Sequence, residues 1–333
     1  MLSILELRTA SKLQFGDLFN SPLFSDVIFQ TETEQLYAHK AILYARCPFF
    51  SEIFADCTAS DEIVHPANGK PVHTMNHLCK KEATLGTRRV VSKVELDGID
   101  AKVMRLFLEY VYKDEVVVPE DVVYELLSVA TIYPMERLQR VCQRVFEEVE
   151  IPSSQITTDL ATCVNSSLFA DVTFVFLPSD DDDEFSLPLP TMGGEFDIVS
   201  TSSEEHSSKD KRKTLVGHSC ILASRCPSLL DRFGTIREFY EAGADGQGNG
   251  MIEIDMGSED CDLKCTFESL MVLLRYLYCG LAHLPSGGED QGLVEEVKEL
   301  AAGLGVKELV RQCNDLLEDI AAQQKRAQFL TAF

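Results

Sequence analysis

The chain is short of positive charge: 30 lysines and arginines stand against 54 aspartates and glutamates, a net charge of −24. A surface of that sign repels a nucleic-acid backbone instead of exchanging counterions with it, so nucleic acid is not expected as a main partner. Long hydrophobic runs are lacking too. No apolar stretch approaches the roughly 18 residues that a membrane helix needs. The opening MLSILELRTASK has neither the basic start nor the apolar core of a secretory signal. A protein of the cytoplasm or nucleus, with no membrane partner, is the expectation. Local signatures of chemistry are also missing: there is no phosphate-cradling glycine loop and no nucleophile at a sharp turn. Neither an enzyme nor a cofactor is expected. Cysteine is present in an odd number, eleven, mostly inside apolar segments such as RCPFF, RVCQRVF and YLYCGL. That usage fits buried, reduced thiols.

What the sequence does contain is a repeat. NSPLFSDVIF at 20–29 returns as NSSLFADVTF at 165–174, matching at seven of ten positions. AHKAILYARCPFF (38–50) returns as GHSCILASRCPSL (217–229), and LEYVYKDEVVV (108–118) as LRYLYCGLAHL (274–284). Three blocks in the same order make each half a complete structural unit. The offsets of the three blocks, 145, 179 and 166, differ, so each half carries an insertion of its own. A length of 333 residues suits two domains of roughly 150.

In the first half, SDVIFQ and QLYAH read as the strands of a hairpin with TETE as its turn. KAILYAR and CPFFSEIF read as two short helices, with Phe49, Phe50, Ile53 and Phe54 on one apolar face. Residues 57–89 are polar without a sustained period and read as a loop. RVVSKVELDG then reads as a strand, and Asp100 as the N-cap of a helix burying Val103, Leu106, Phe107 and Tyr110. A short strand EVVV follows, then two amphipathic helices, the second beginning at Pro134 and running through RVFEEV. The expected class is α+β, each domain a small mixed β-sheet capped by helical hairpins.

These residues resemble a BTB/POZ domain. The first half carries the resemblance through SDV, AHKAIL, CPFFSEIF and FLEYVY, and the second through ADVTF, GHSCILASRCPSLLDRF, MIEIDM and FESLMVLLRYLYCG. The expected organisation is therefore a first BTB/POZ domain over 8–149, with its loop insertion at 57–89. A second covers 153–319, with an acidic insertion at 177–213 of disordered composition, and a tail covers 320–333. The resemblance implies a protein-interaction module that homodimerises or, with two copies in one chain, forms an intramolecular pseudo-dimer. It further implies an adaptor that links an unknown substrate protein to a cullin-3 ubiquitin ligase; the alternative is a scaffold that only oligomerises. Tandem arrangements of this kind resemble those of the atypical Rho GTPases with BTB domains and the Bruton kinase inhibitor family, yet no GTPase motif or ankyrin repeat is found.

The family motif maps onto Asp26, His39, Lys40 and Tyr110 in the first half and onto Asp171, His218 and Tyr276 in the second. In dimeric relatives the Asp and the basic residue after the His form a charged pair near the dimer seam. The first half keeps both, whereas Ser219 replaces the basic residue in the second. A His and a carboxylate recurring together invite an acid–base reading, but capping and hydrogen bonding account for residues at the start of a helix or the edge of a strand. Cullin binders often carry a hydrophobic residue and a Glu in the loop after the helical pair, and Phe239, Tyr240 and Glu241 fit that pattern. An aromatic pair in an otherwise Gly-rich loop suits an interface anchor. The segment 57–89 holds Cys57, His65, His73, His77 and Cys79. A helical turn would put His73 and His77 on one face, with Cys79 a third weak candidate, but the spacing matches no zinc motif, so no metal is expected.

Overall fold

The computed structural model describes residues 15–56, 77–83, 90–96, 98–177, 212–233, 252–258, 261–282, 284 and 291–331. The first half opens with a hairpin of β1 (Val27–Gln30) and β2 (Gln35–Ala38), antiparallel in register Val27 to Ala38. Thr31 closes its turn, its Oγ1 donating to Glu34 O at 3.0 Å and accepting from Glu34 N at 3.1 Å. Two short helices follow, α1 (Lys40–Arg46) and α2 (Phe50–Asp56), then β3 (His77–Ala83) and β4 (Val90–Leu96). Strand β4 lies parallel to β1 and antiparallel to β3, giving the order β2-β1-β4-β3. Alternation along β1 and β4 turns Val27, Phe29 and Val94 into the core.

Helix α3 (Ala101–Lys113) starts where Asp100 accepts from Lys102 N at 2.7 Å, as an N-cap must to satisfy an orphan donor. Its face of Val103, Phe107, Tyr110 and Val111 is buried. The hairpin α4 (Val123–Ile132) and α5 (Glu136–Gln143) completes this half. Phe50, at the start of α2, stacks on Tyr133 with ring centroids 4.9 Å apart, tying the first helical pair to the second.

The second half repeats the plan. Helix α6 (Ile156–Ala161) leads into β5 (Val172–Phe176) and β6 (Lys213–Gly217), an antiparallel pair. Then come α7 (Ser219–Arg225), α8 (Pro227–Asp231) and β7 (Ile252–Asp255), which is parallel to β5. Helix α9 (Phe267–Cys279) corresponds to α3, and α10 (Gln291–Gly303) with α11 (Lys307–Thr331) forms the closing hairpin. Both halves are mixed α+β units in which a parallel pair joins the hairpin to a strand returning from the helices. Their buried side chains run together into one continuous core.

Three sequence expectations need correction. Residues 57–89 are not wholly a loop, because β3 occupies 77–83. HLCKKEA has too little apolar alternation to announce itself, and its ladder of partners on β4 supplies the order instead. His77 thus begins a strand, which removes the helical turn that would have brought it beside His73; His73 itself lies outside the described residues. EVVV at 115–118 is extended but pairs with no strand among the described residues, leaving Val117 88% exposed. Last, α5 stops at Gln143, and residues 144–147 form turns and a bend where a longer helix was expected.

Candidate functional site: two buried locks and the seam between the halves

His39 is held by three bonds. Its backbone N–H donates to Tyr112 Oη at 2.9 Å, its Nδ1 lies 2.7 Å from the same oxygen, and its Nε2 lies 2.8 Å from Leu23 O. A carbonyl can only accept, so Nε2 carries the proton and Nδ1 accepts from the tyrosine hydroxyl. His218 repeats this with Tyr278 Oη at 2.8 Å from both its backbone N and its Nδ1, and with Leu168 O 3.0 Å from its Nε2. Both imidazoles are 1% exposed. Each lock ties the turn before the first strand, and the start of the helix that follows the hairpin, to the long helix that carries the tyrosine, α3 or α9.

The aspartates act beside the locks. Asp26 Oδ1 accepts from Lys40 N at 2.8 Å and Asp171 Oδ1 from Ser219 N at 2.6 Å, so each caps a helix from a remote strand. Ser219 adds a bond from its hydroxyl to Asp171 Oδ2. Lys40 carries its ammonium 5.5 Å above Phe54 and 5.9 Å above Phe169, a ring of the other half. The exchange of Lys for Ser therefore makes the seam asymmetric. Tyr110 and Tyr276 lie elsewhere: the Tyr110 ring sits 5.6 Å from the Arg46 guanidinium, and Tyr276 is buried near Arg225.

The tyrosines of the locks, Tyr112 and Tyr278, were not singled out from sequence, although each is the second Tyr of a repeated Tyr-x-Tyr. Also overlooked were Asn20 and Asn165, whose Oδ1 atoms accept from Tyr37 N and Val216 N, both at 2.9 Å. Both adopt left-handed backbone, φ 51° and 53°, as do Phe24 and Phe169 at 58° and 61°. Asn tolerates that region; a Phe there is an outlier held by its surroundings. The repeated decapeptide thus encodes a turn as well as a strand.

The two halves meet through their leading segments. Helix α6 packs on α1 of the first half and on α9 of its own. Arg46, from α1, donates Nε–H to Val111 O at 3.1 Å and forms ion pairs with Asp114 and with Asp159 of α6. Arg137 adds a charge contact at 2.9 Å to Asp114 Oδ2. Burial raises the Asp159 pKa, an effect Arg46 partly offsets. Phe169 meets Tyr44 and Phe54 edge-on at 6.0 and 5.8 Å, and Cys163 Sγ reaches Ala41 O at 3.5 Å. In the opposite direction, Ser224 of α7 donates to the Asp17 carboxylate at 2.9 Å, and Arg225 lies 5.9 Å from the Phe15 ring. Each half lays its leading segment on the short helices that follow the β-hairpin of the other, α1 and α2 in the first half and α7 in the second.

These groups are occupied structurally rather than poised for chemistry. Desolvation pushes Cys163 up to about 11 and Cys279 up to about 12, which leaves both as thiols at neutral pH. Among the described residues no group of three or more His, Cys, Asp or Glu could hold a metal ion. Phe239, Tyr240 and Glu241 lie outside the described residues.

Burial also lowers the His218 pKa, because the imidazolium cannot be hydrated there. Below the unfolded value of about 6.5 the unfolded chain takes up a proton that the folded chain refuses. This contribution to stability is therefore complete above about pH 6.5 and declines as pH falls, by at most about 1.4 kcal/mol per unit. Nuclear magnetic resonance titration of the His218 ring, beside urea unfolding at pH 7.5 and 5.5, should show a neutral folded imidazole and a lower midpoint at pH 5.5. A ring that titrates near 6.5 in the folded state would contradict this.

The family model for the BTB/POZ domain matches residues 15–78 and 75–150. Over 142 residues the chain is 30% identical to structure-specific endonuclease subunit SLX4 of Mus musculus, covering 42% of this chain and 8% of that protein. Over 157 residues it is 25% identical to Kelch-like protein 24 of Homo sapiens, covering 47% of this chain and 20% of that one. Among solved structures, the BTB domain of zebrafish PATZ1 is 24% identical, covers 37% of this chain and 75% of that one, and gives a TM-score of 0.25. The match thus spans only a small part of either curated relative. Residues 15–150, which hold β1 to β4 and α1 to α5, carry a BTB/POZ domain.

Proposed function

We propose that the chain is a non-catalytic interaction protein built of two BTB/POZ units, paired within one polypeptide, that links a substrate protein to a cullin-3 ubiquitin ligase. The observation that carries the reading is the repetition of one plan: a hairpin, a His–Tyr lock, a remote Asp cap and a parallel returning strand occur in a half that matches the BTB/POZ model and again in the half that follows. The crossed leading segments favour pairing between the halves, since each leading segment is already held by the other half. Free, mostly buried cysteines among the described residues suit a reducing compartment, cytoplasm or nucleus.

Cullin recruitment rests on the BTB/POZ domain and on Phe239, Tyr240 and Glu241. Wild-type chain should bind the N-terminal domain of cullin-3 at micromolar concentration or tighter, and Phe239→Ala with Tyr240→Ala should weaken it at least tenfold, as befits aromatic anchors. Isothermal titration calorimetry reads both. No heat at micromolar concentration would remove the ligase reading and leave a scaffold that only oligomerises.

A further inference from the structure

We propose that the first half carries a second docking surface, formed by the stacked rings of Tyr124 and Phe146 and the acidic hollow beside them, which takes an arginine-rich segment of a partner protein. Tyr124, on α4, and Phe146, just past α5, stack with centroids 4.7 Å apart and planes at 21°. They are 68% and 51% exposed. Two aromatic rings that pack on each other in water, with neither turned into the core, present the kind of rigid apolar platform found at interface centres.

The surroundings select the sign of the occupant. Residues 144–150 border a shallow, open depression lined by Phe146, Glu147, Glu148 and Glu150, with Arg144 as its single cation. The three glutamates are exposed, and none of them forms an ion pair within the described residues. A second copy of the chain would bring its own net charge of −24 to this face, so self-association is opposed. A guanidinium satisfies both parts of the site. Its plane stacks on an aromatic ring, and its fork matches a carboxylate, whereas an ammonium acts as a point charge with no such fork. This surface belongs to the half opposite to the proposed cullin loop, so the two readings stand or fall separately.

The test uses the full chain and a fluorescein-labelled peptide of alternating arginine and leucine, read by fluorescence anisotropy at 50 and 200 mM salt, beside the lysine–leucine analogue. Tyr124→Ala is expected to weaken binding at least tenfold, and Phe146→Ala gives the same reading should the first variant fold poorly. The triple change Glu147→Gln, Glu148→Gln, Glu150→Gln is expected to weaken it at least tenfold. Glu299→Gln, Glu318→Gln, Asp319→Asn removes the same charge from α10 and α11 and should change it less than twofold. The lysine peptide should bind several-fold more weakly than the arginine one. Equal losses in the two triple variants, or unchanged binding by Tyr124→Ala and Phe146→Ala, would reduce the effect to bulk charge and overturn the proposal. A Tyr124-dependent rise in mass without peptide would assign the face to a second copy and overturn it as well.

Discussion

Replacing Arg46 by methionine is expected to destabilise the protein by about 3 to 5 kcal/mol, because it takes away the buried cation that Asp114 and Asp159 share inside the seam. The Arg46 side chain is 2% exposed and that of Asp114 5%. Arg137 still touches Asp114 after the change, but among the described residues no other cation forms an ion pair with Asp159. The pseudo-equivalent Arg225→Met should cost clearly less. Arg225 donates to Leu277 O and faces a ring, and its helix-end neighbour is Gly280 where the first half has Asp114. Adding Asp159→Asn to Arg46→Met should recover part of the loss, since the stranded charge is then gone. Urea midpoints of the four proteins measure this directly. If Arg46→Met and Arg225→Met cost the same, the ion-pair network is not what distinguishes the two sides.

That asymmetry was partly legible in the sequence. The repeat exposed the duplication, and period-2 and period-3.6 patterns placed the hairpin, β4 and α3, since each of these elements buries one face and so carries its own signal. The position of Asp100 before an apolar run announced a cap, and the cap is there. Strand β3 was hidden because an edge strand draws its order from a neighbour and needs no apolar alternation of its own. EVVV misled for the opposite reason: β-branched residues favour extended backbone whether or not a partner strand exists. The site divided along similar lines. His39, His218, Asp26 and Asp171 stood out as a recurring motif, but their partners lie 73 and 60 residues away for the histidines. Composition cannot say which Tyr of a Tyr-x-Tyr faces them. In a helix two positions apart means nearly opposite faces, so Tyr110 turns to Arg46 while Tyr112 turns to the histidine.

Tyr112→Phe and Tyr278→Phe should each cost about 2 to 4 kcal/mol, far more than the loss of one surface hydroxyl. Each hydroxyl both accepts the histidine backbone N–H and donates to Nδ1. Deleting it takes the hydroxyl partner from a buried donor and from a buried acceptor, at about 1 to 3 kcal/mol apiece. The ring itself stays in place, so hardly any apolar burial is lost and the cost reports the polar pair alone. Tyr124→Phe, on an exposed ring, should stay within about 0.5 kcal/mol. Hydrogen exchange separates the lock from any general loosening. The His39 amide should lose protection in Tyr112→Phe and the His218 amide in Tyr278→Phe, each beyond the drop in global stability. If the amides exchange only as fast as global unfolding predicts, the hydroxyl is not their partner. The locks bear on the seam as well. His218 Nε2 holds Leu168 O, the residue before Phe169, whose ring enters the Tyr44–Phe54 cluster of the first half. Loss of the second lock should therefore free Phe169 from its left-handed backbone and loosen the seam, whereas loss of the first acts through Leu23 and Phe24 on the opposite side.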